Sequence, residues 1–201
     1  MTDATTLIPF IIFCLVMTGT PGPNNMMVLA AAARAGLLGA MPLITGIAGG
    51  SALQMASVAA GLGAVIAASP QVQTAMTFAG AGFLLWIAVK IAKSGPLSDD
   101  SLNQAPVGFW TGAMFQWINP KAWAVTTGVV ATYIPVEATS AHILIAALTL
   151  AFASVITLLI WASAGAVLQR FLRQKKFATI FNVTAALLLV AAIIPLVIAR
   201  V

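Results

Sequence analysis

Two short segments hold the residues of this chain whose types and spacing could do chemistry. Each interrupts a long apolar run with proline, and each carries carboxamide side chains next to the interruption. The second segment also ends in a lysine near the middle of its run. The candidate binding residues are Thr20, Pro21, Gly22, Pro23, Asn24 and Asn25 in residues 20–25, the first break, and Gln116, Asn119, Pro120 and Lys121 in residues 116–121, the second break.

Proline also leaves backbone carbonyl groups without partners at both breaks. Because proline has no backbone N–H, the carbonyl four residues earlier loses its helical hydrogen bond. In hydrocarbon such a group costs several kcal/mol, so irregular backbone survives only where protein or a water-filled cavity surrounds it. The carbonyls released in this way are those of Met17, Gly19 and Gln116.

The ends of the broken helices supply positive charge. Asn119-Pro120 has the sequence of a helix cap and first turn, and Gly22-Pro23 resembles it. A helix N-terminus carries roughly half a positive charge. Two such ends together with Lys121 suit a carboxylate, the released carbonyls suit an ammonium, and the amides suit either charge. The pattern therefore predicts a site for a zwitterion such as an amino acid.

A simpler interpretation is that both breaks are kinks that improve helix packing. Lys121 would then extend its side chain to the membrane surface. Two breaks at matching places in the chain, both flanked by asparagine, favour the binding site instead. Lys121 also lies near the centre of its apolar run, where a charged residue is usually functional.

The elements that must position these residues are membrane helices. Of 201 residues, 61% are hydrophobic and only 6% are charged, whereas a soluble domain is about a quarter charged. Spans of roughly 20 residues predict an all-α membrane protein with six transmembrane helices. The predicted spans are 7–33, 42–68, 71–93, 107–134, 142–169 and 177–200, with a short loop at 34–41 and the first and fourth spans broken.

The spans divide into two halves around a polar linker at 96–106. Residues 1–95 and 107–201 each contain three spans, and an odd number forces the second repeat to enter the membrane inverted. Each half begins with its broken span, which is the best sequence pointer to a transporter's binding site. Gly46 and Gly50 in the second span have the spacing that allows close helix contact.

Basic residues predict the orientation of the helices. The loops after spans one, three and five hold seven of the nine lysines and arginines, so these loops and the linker are expected in the cytoplasm and both termini outside. The net charge of +5 thus indicates membrane topology and not nucleic-acid binding. The N-terminus lacks the basic region of a cleaved signal peptide, so the first span is expected to be retained. The cytoplasmic cations are Arg34, Lys90, Lys93, Arg170, Arg173, Lys175 and Lys176.

The scarcity of acidic, histidine and cysteine side chains limits which functions the chain can have. The carboxylates Asp3, Asp99, Asp100 and Glu137 all fall in loops or at span ends. Their absence from the spans argues against lysine or arginine as cargo and for neutral amino acids, and it removes the usual carboxylate proton relay. One boundary histidine, His142, and one cysteine, Cys14, offer little to an intramembrane enzyme or a thiol-redox carrier, the two competing hypotheses. No metal or other cofactor is expected. Interfacial anchoring is the default role for Trp86, Trp110, Trp123, Tyr133 and Trp161.

The residues of the two breaks resemble the LysE/RhtB family of bacterial amino-acid exporters. The similarity extends over essentially the whole chain and its six-span layout. The tail from Trp161, with Asn182 and residues 187–190, resembles the cysteine/O-acetylserine exporter branch. The resemblance implies secondary export of small amino acids or derivatives across the bacterial inner membrane, with an amino acid and lipids as partners. Substrate, coupling ion and oligomeric state stay open, a homo-oligomer being one alternative.

Overall fold

The structure, a computed structural model, describes residues 4–97, 108–135 and 137–198. Every regular element within these ranges is helical. Most of the linker at 96–106, together with Asp3, Asp99, Asp100 and Arg200, lies outside the described residues. The helices are α1 (Ala4–Gly19), α2 (Pro23–Ser57), a π-helical turn (Val58–Leu62), α3 (Gly63–Ala67), α4 (Pro70–Ala92), α5 (Phe109–Ile118), α6 (Pro120–Tyr133), α7 (Ser140–Gln169) and α8 (Lys175–Ile198).

Four stretches of helix are long and apolar enough to cross a membrane. They are Pro23–Ala67, Pro70–Ala92, Ser140–Gln169 and Lys175–Ile194. The remaining helices are shorter because the breaks divide them: α1 has 16 residues, or about 24 Å at 1.5 Å per residue, against a hydrocarbon core of about 30 Å. The chain is therefore an all-α, multi-pass membrane protein.

The predicted loop at 34–41 is wrong, because these residues are helical except at Gly36, where two helices meet at one sharp kink within α2. Gly36 has φ 73° and ψ 177°, a backbone conformation that a residue with a side chain rarely adopts, and helical geometry resumes directly after it. Gln169 at the end of α7 donates its Nε2 proton to the Arg34 carbonyl oxygen at 3.2 Å, so the kink leaves that carbonyl paired. One glycine and one side chain thus replace the expected loop.

The helices pack around α2. Its half before the kink lies against α7, where a Cβ on Gly165 would overlap the Leu29 carbonyl oxygen. Its half after the kink lies against α5, and α4 packs on α8. Glycines at the α2–α7 and α2–α5 crossings bring backbones together, which is how membrane helices associate without a hydrophobic driving force.

The close contact predicted at Gly46 and Gly50 is confirmed. A Cβ on Gly46 would overlap the Phe109 carbonyl oxygen, and one on Gly50 would lie 2.7 Å from the Ala113 carbonyl oxygen. Gly112 completes the contact from the α5 side, 2.6 Å from the Leu43 carbonyl oxygen by the same measure. The α2–α5 crossing therefore has no space for a methyl group.

Gly50→Ala is expected to destabilise the protein, since overpacking typically costs about 1–3 kcal/mol. The measurement is the midpoint of thermal unfolding in detergent, followed by size-exclusion fluorescence. Gly82→Ala is the matched control, because Gly82 lies in the middle of α4 with nothing within 4 Å of its added Cβ. Equal midpoints for the two variants would contradict the packing described.

Candidate functional site

Both breaks form where the prolines predict them. The helix α1 ends at Gly19 and α2 begins at Pro23, with Gly22 in an extended conformation between them. The helix α5 ends at Ile118 and α6 begins at Pro120. The predicted cap of α6 is confirmed.

The cap of α6 comes from the side chain of Asn119. Its backbone is extended (φ −88°, ψ 105°), and its Oδ1 accepts a hydrogen bond from the Lys121 backbone N–H at 3.1 Å. Asn119 is almost fully buried, at 1% exposure. The start of α6 is therefore held in place from within the protein.

The two breaks touch each other through Lys121. Its Nζ donates to the Thr20 carbonyl oxygen at 2.6 Å and lies 3.5 Å from the Pro21 carbonyl oxygen. Gly22 makes the approach possible, since a Cβ there would be 2.9 Å from the Lys121 Nζ. Residues about a hundred positions apart in the chain thus meet in one polar cluster.

Carboxamide side chains join the breaks a second time. Asn24 Nδ2 donates to Gln116 Oε1 at 3.1 Å, and Gln116 Nε2 returns a bond to Asn24 Oδ1 at 3.3 Å. Asn119 Nδ2 also donates to Asn24 Oδ1 at 3.3 Å, and Ser51 Oγ donates to Gln116 Oε1 at 3.3 Å. A reciprocal amide pair of this kind fixes the orientation of both side chains.

Two of the released carbonyls are not open to an ammonium, contrary to the expectation from the sequence. The Gly19 oxygen accepts from Trp161 Nε1 at 3.1 Å and from Asn25 Nδ2 at 3.4 Å. The Gln116 oxygen accepts from Gln54 Nε2 at 2.7 Å. The physical reason is the cost of an unpaired carbonyl in an apolar interior, which side chains of neighbouring helices remove here.

A small cavity of about 40 Å³ lies beside the breaks. Most of its wall is apolar, and Lys121 is its one charged lining residue among the part of the chain that is described. Of the predicted site residues, it is lined by Pro23, Asn24, Asn25, Gln116, Asn119 and Lys121.

The other four predicted residues lie outside this wall. Thr20 and Pro21 are exposed and contribute their carbonyls to Lys121, and Gly22 is buried beneath the lysine. Pro120 lines a second cavity of about 330 Å³ on the opposite face of α6. The sequence therefore identified one cluster, in which some residues form the wall and others hold it together.

Comparison with known proteins agrees with this geometry. Residues 15–199 match a family described as "LysE type translocator". The chain belongs to the LysE type translocator family. The resemblance drawn from its sequence is confirmed.

This translocator is also similar to proteins named "Cysteine/O-acetylserine efflux protein". Those of Escherichia coli strain K12, Escherichia coli O1:K1 and Shigella sonnei strain Ss046 are each 29% identical to it over 187 residues, 92% of this chain and 94% of theirs. No solved structure matches the translocator.

Sequence reasoning missed the part of the translocator's cavity wall that unbroken helices supply. Gln54 and Ser51 come from α2, Ser154 from α7, and all are buried. A signal was available, since Gln54 is a carboxamide in the middle of an apolar span and polar groups at such depth are usually functional. It was overlooked because nothing breaks the helix around it.

The default role of the aromatic residues needs correction at two positions of the translocator. Trp123 is only 9% exposed and donates its Nε1 proton to the Trp117 carbonyl oxygen at 2.9 Å. Trp161 pairs the Gly19 carbonyl, as described above. Both indoles therefore serve the breaks instead of the membrane surface, because an unpaired N–H inside would be costly.

The other expected anchors and the histidine differ from these two. Trp86 and Trp110 are exposed, as interfacial anchors would be, and Tyr133 packs its ring 5.1 Å from that of Phe10. His142 accepts a hydrogen bond at Nδ1 from the Thr139 backbone N–H at 3.2 Å, at the start of α7. This is the structural role of a helix cap.

Asn25→Leu is expected to destabilise the translocator by about 1–3 kcal/mol, the usual cost of leaving a buried acceptor unpaired. Asn25 is 2% exposed, and its Nδ2 donates to the Thr18 carbonyl oxygen at 3.0 Å. The measurement is again thermal unfolding in detergent. Thr45→Val, on an exposed face of α2, is the control and should change the midpoint little. A larger shift for the control would refute the assigned role of Asn25.

Proposed function

We propose that this translocator exports small neutral amino acids or their derivatives across the bacterial inner membrane, as a secondary transporter. Candidate cargoes are of the cysteine/O-acetylserine or threonine/homoserine type. The observation that carries the proposal is the meeting of two broken helices around Lys121. The ten residues of the two breaks form the substrate site, some as its wall and some as its support.

Charge supports a carboxylate-bearing substrate. The N-termini of α2 and α6 both lie at the breaks, and each contributes partial positive charge beside the Lys121 ammonium. Lys121 is bonded there to carbonyl oxygens, and Glu137, an exposed loop residue, is the one acidic residue in the described part of the chain. Cations inside membrane proteins pair with anionic groups or with backbone carbonyls. A carboxylate is the stronger of the two partners, and a substrate would supply one.

The wall of the cavity supports a substrate that is neutral overall. No carboxylate lines it among the described residues, so a second cation on the substrate would find no ion partner. The names of the similar efflux proteins, which specify cysteine and O-acetylserine, agree with a small zwitterion. Apolar lining residues such as Ile47, Val125 and Leu150 suit a short side chain.

The pattern of helix contacts supports two inverted repeats. The first broken span contacts α7, and the second broken span contacts the part of α2 after the kink, so each break helix packs on the middle helix of the other half. The last helices of the two halves, α4 and α8, pack on each other. Exchanged contacts of this kind are what a two-fold axis in the membrane plane would generate.

The hydrogen bonds of Lys121 also suggest how the site changes during transport. A cavity of about 40 Å³ has space for a few water molecules and is too small for an amino acid. The substrate carboxylate would replace the Thr20 carbonyl as partner of the Lys121 ammonium, and the two breaks would then separate. Exchanging a carbonyl for a carboxylate strengthens the hydrogen bond of the ammonium, which offsets the cost of separating the two breaks.

The competing functions gain no support. Membership of a translocator family favours transport over catalysis. Cys14 is fully buried in an apolar cluster, away from any second cysteine, since the sequence contains only one.

Lys121→Met is expected to lower efflux of labelled O-acetylserine from loaded proteoliposomes at least tenfold, since hydrogen bonds to charged groups contribute about 1.5–3 kcal/mol. Asn24→Ala combined with Lys121→Ala should abolish it. Lys93→Met is the matched control, because Lys93 is an exposed lysine at the end of α4. Unchanged efflux in the double variant would contradict the proposal that these residues form the substrate site.

The orientation, with both termini outside, is tested with single cysteines. Lys176→Cys, in the first turn of α8, should react with a membrane-impermeant maleimide only in inverted vesicles, and Glu137→Cys only in intact spheroplasts. Both positions are exposed, whereas Cys14 is buried and should contribute little background. The reverse labelling pattern would overturn the proposed topology.

A further inference from the structure

Gln54 holds an unpaired acceptor atom in the wall of the cavity. The side chain is fully buried in α2, and its Nε2 donates to the Gln116 carbonyl oxygen at 2.7 Å. A carbonyl oxygen can only accept a hydrogen bond, so the nitrogen of the carboxamide must be the atom that faces it. Gln54 Oε1 therefore points away from Gln116, and it has no hydrogen-bond partner within the described residues.

A buried polar atom without a hydrogen-bond partner is unusual in a folded protein. Most buried polar side-chain atoms in proteins are hydrogen-bonded, and each exception needs an explanation. The described residues contain one other case, Asn182 Oδ1. Asn182 Nδ2 donates to the Ser94 carbonyl oxygen just beyond the C-terminus of α4, and Asn182 does not line the cavity. Gln54 is thus the unsatisfied carboxamide that lines the candidate site.

The position of Gln54 explains what happened to the expected ammonium site. Pro120 releases the Gln116 carbonyl, which the sequence offered to an ammonium. Gln54 occupies that carbonyl with its own N–H, and the same side chain, which carries the unpaired Oε1, lines the cavity. A side-chain oxygen of Gln54 can therefore take the role that the sequence assigned to the Gln116 backbone oxygen.

We propose that Gln54 Oε1 accepts a hydrogen bond from the α-ammonium of the substrate, while Lys121 binds its carboxylate. This assignment rests on the proposed export function. Gln54 contacts the last turn of α5 through Gln116, and Lys121 lies in the first turn of α6, so the two charged ends of one amino acid engage both sides of the second break. The arrangement selects α-amino acids over α-hydroxy acids, because a hydroxyl donates a weaker, uncharged hydrogen bond to the same oxygen.

The competing explanation is that Gln54 only ties α2 to α5 and that water fills the space beside Oε1. Removing the side chain would then weaken every substrate equally. A competition experiment separates the two roles. Purified protein in liposomes exports labelled O-acetylserine, and L-serine or glycerate, its α-hydroxy counterpart, is added as competitor.

Wild-type protein is expected to be inhibited by serine at lower concentration than by glycerate. Gln54→Met, which keeps the length of the side chain but removes both polar atoms, should raise the half-inhibitory concentration of serine roughly tenfold or more. The value for glycerate should change much less. An equal change for both competitors, or no change for either, would overturn the proposal.

Gln54→Glu tests the acceptor oxygen of this side chain separately from its hydrogen bond to the Gln116 carbonyl. Glutamate keeps an acceptor oxygen in either protonation state, so the preference for serine over glycerate should equal or exceed that of wild type. A preference that falls to about one in this variant would also overturn the assignment, and the result does not depend on whether Gln54→Met folds. Gln169→Met is the control, since Gln169 likewise donates to a backbone carbonyl, that of Arg34, away from the cavity.

The outcomes distinguish this inference from the function on which it rests. If wild-type protein exports no O-acetylserine, threonine or cysteine, the proposed function fails. If it exports them and Gln54→Met retains the wild-type ratio of serine to glycerate inhibition, the function stands and the role of Gln54 fails.

Discussion

The hydrogen bond from the Lys121 ammonium to the Thr20 carbonyl is the contact on which the centre of this protein depends. It joins the two interrupted helices across about a hundred residues of chain and places a full positive charge beside two helix N-termini. Inside a membrane protein such a charge is expensive unless it is paired. A carbonyl dipole compensates it only in part, and the electrostatics of the site therefore favour a ligand with a negative group.

That contact exists only because the surrounding helices come unusually close. Glycines at 46, 50 and 112 let α2 and α5 touch backbone to backbone, and Gly22 leaves space for the lysine side chain itself. Since lipid is as apolar as a leucine side chain, close packing and internal hydrogen bonds must hold such an assembly together. The small residues around the breaks are thus part of the site, although they bind nothing.

Proline chemistry explains why the sequence predicted the breaks and their neighbours so well. The loss of an N–H is a local property, and so are the cap at Asn119 and the excess of apolar residues. Which side chain donates to the Gly19 or Gln116 carbonyl depends on helices far away in the chain. Nothing in the sequence next to Trp161 or Gln54 shows which carbonyl each of them pairs. The kink at Gly36 was not predicted for a related reason, because an arginine followed by two glycines, Gly36 and Gly39, resembles a loop until the residues around them are known to be helical.

The pairing of these groups divides the site into fixed and exchangeable parts. Trp161, Asn25 and Gln54 donate to backbone carbonyls at the two breaks, and a substrate carboxylate, which only accepts hydrogen bonds, could not replace them as donors. The Lys121 ammonium differs, because under the proposed function a substrate carboxylate would replace its carbonyl partner and form a stronger bond. A conformational change costs least where the ligand itself compensates the lost contact, and under the proposed function that contact is the hydrogen bond from Lys121 to Thr20.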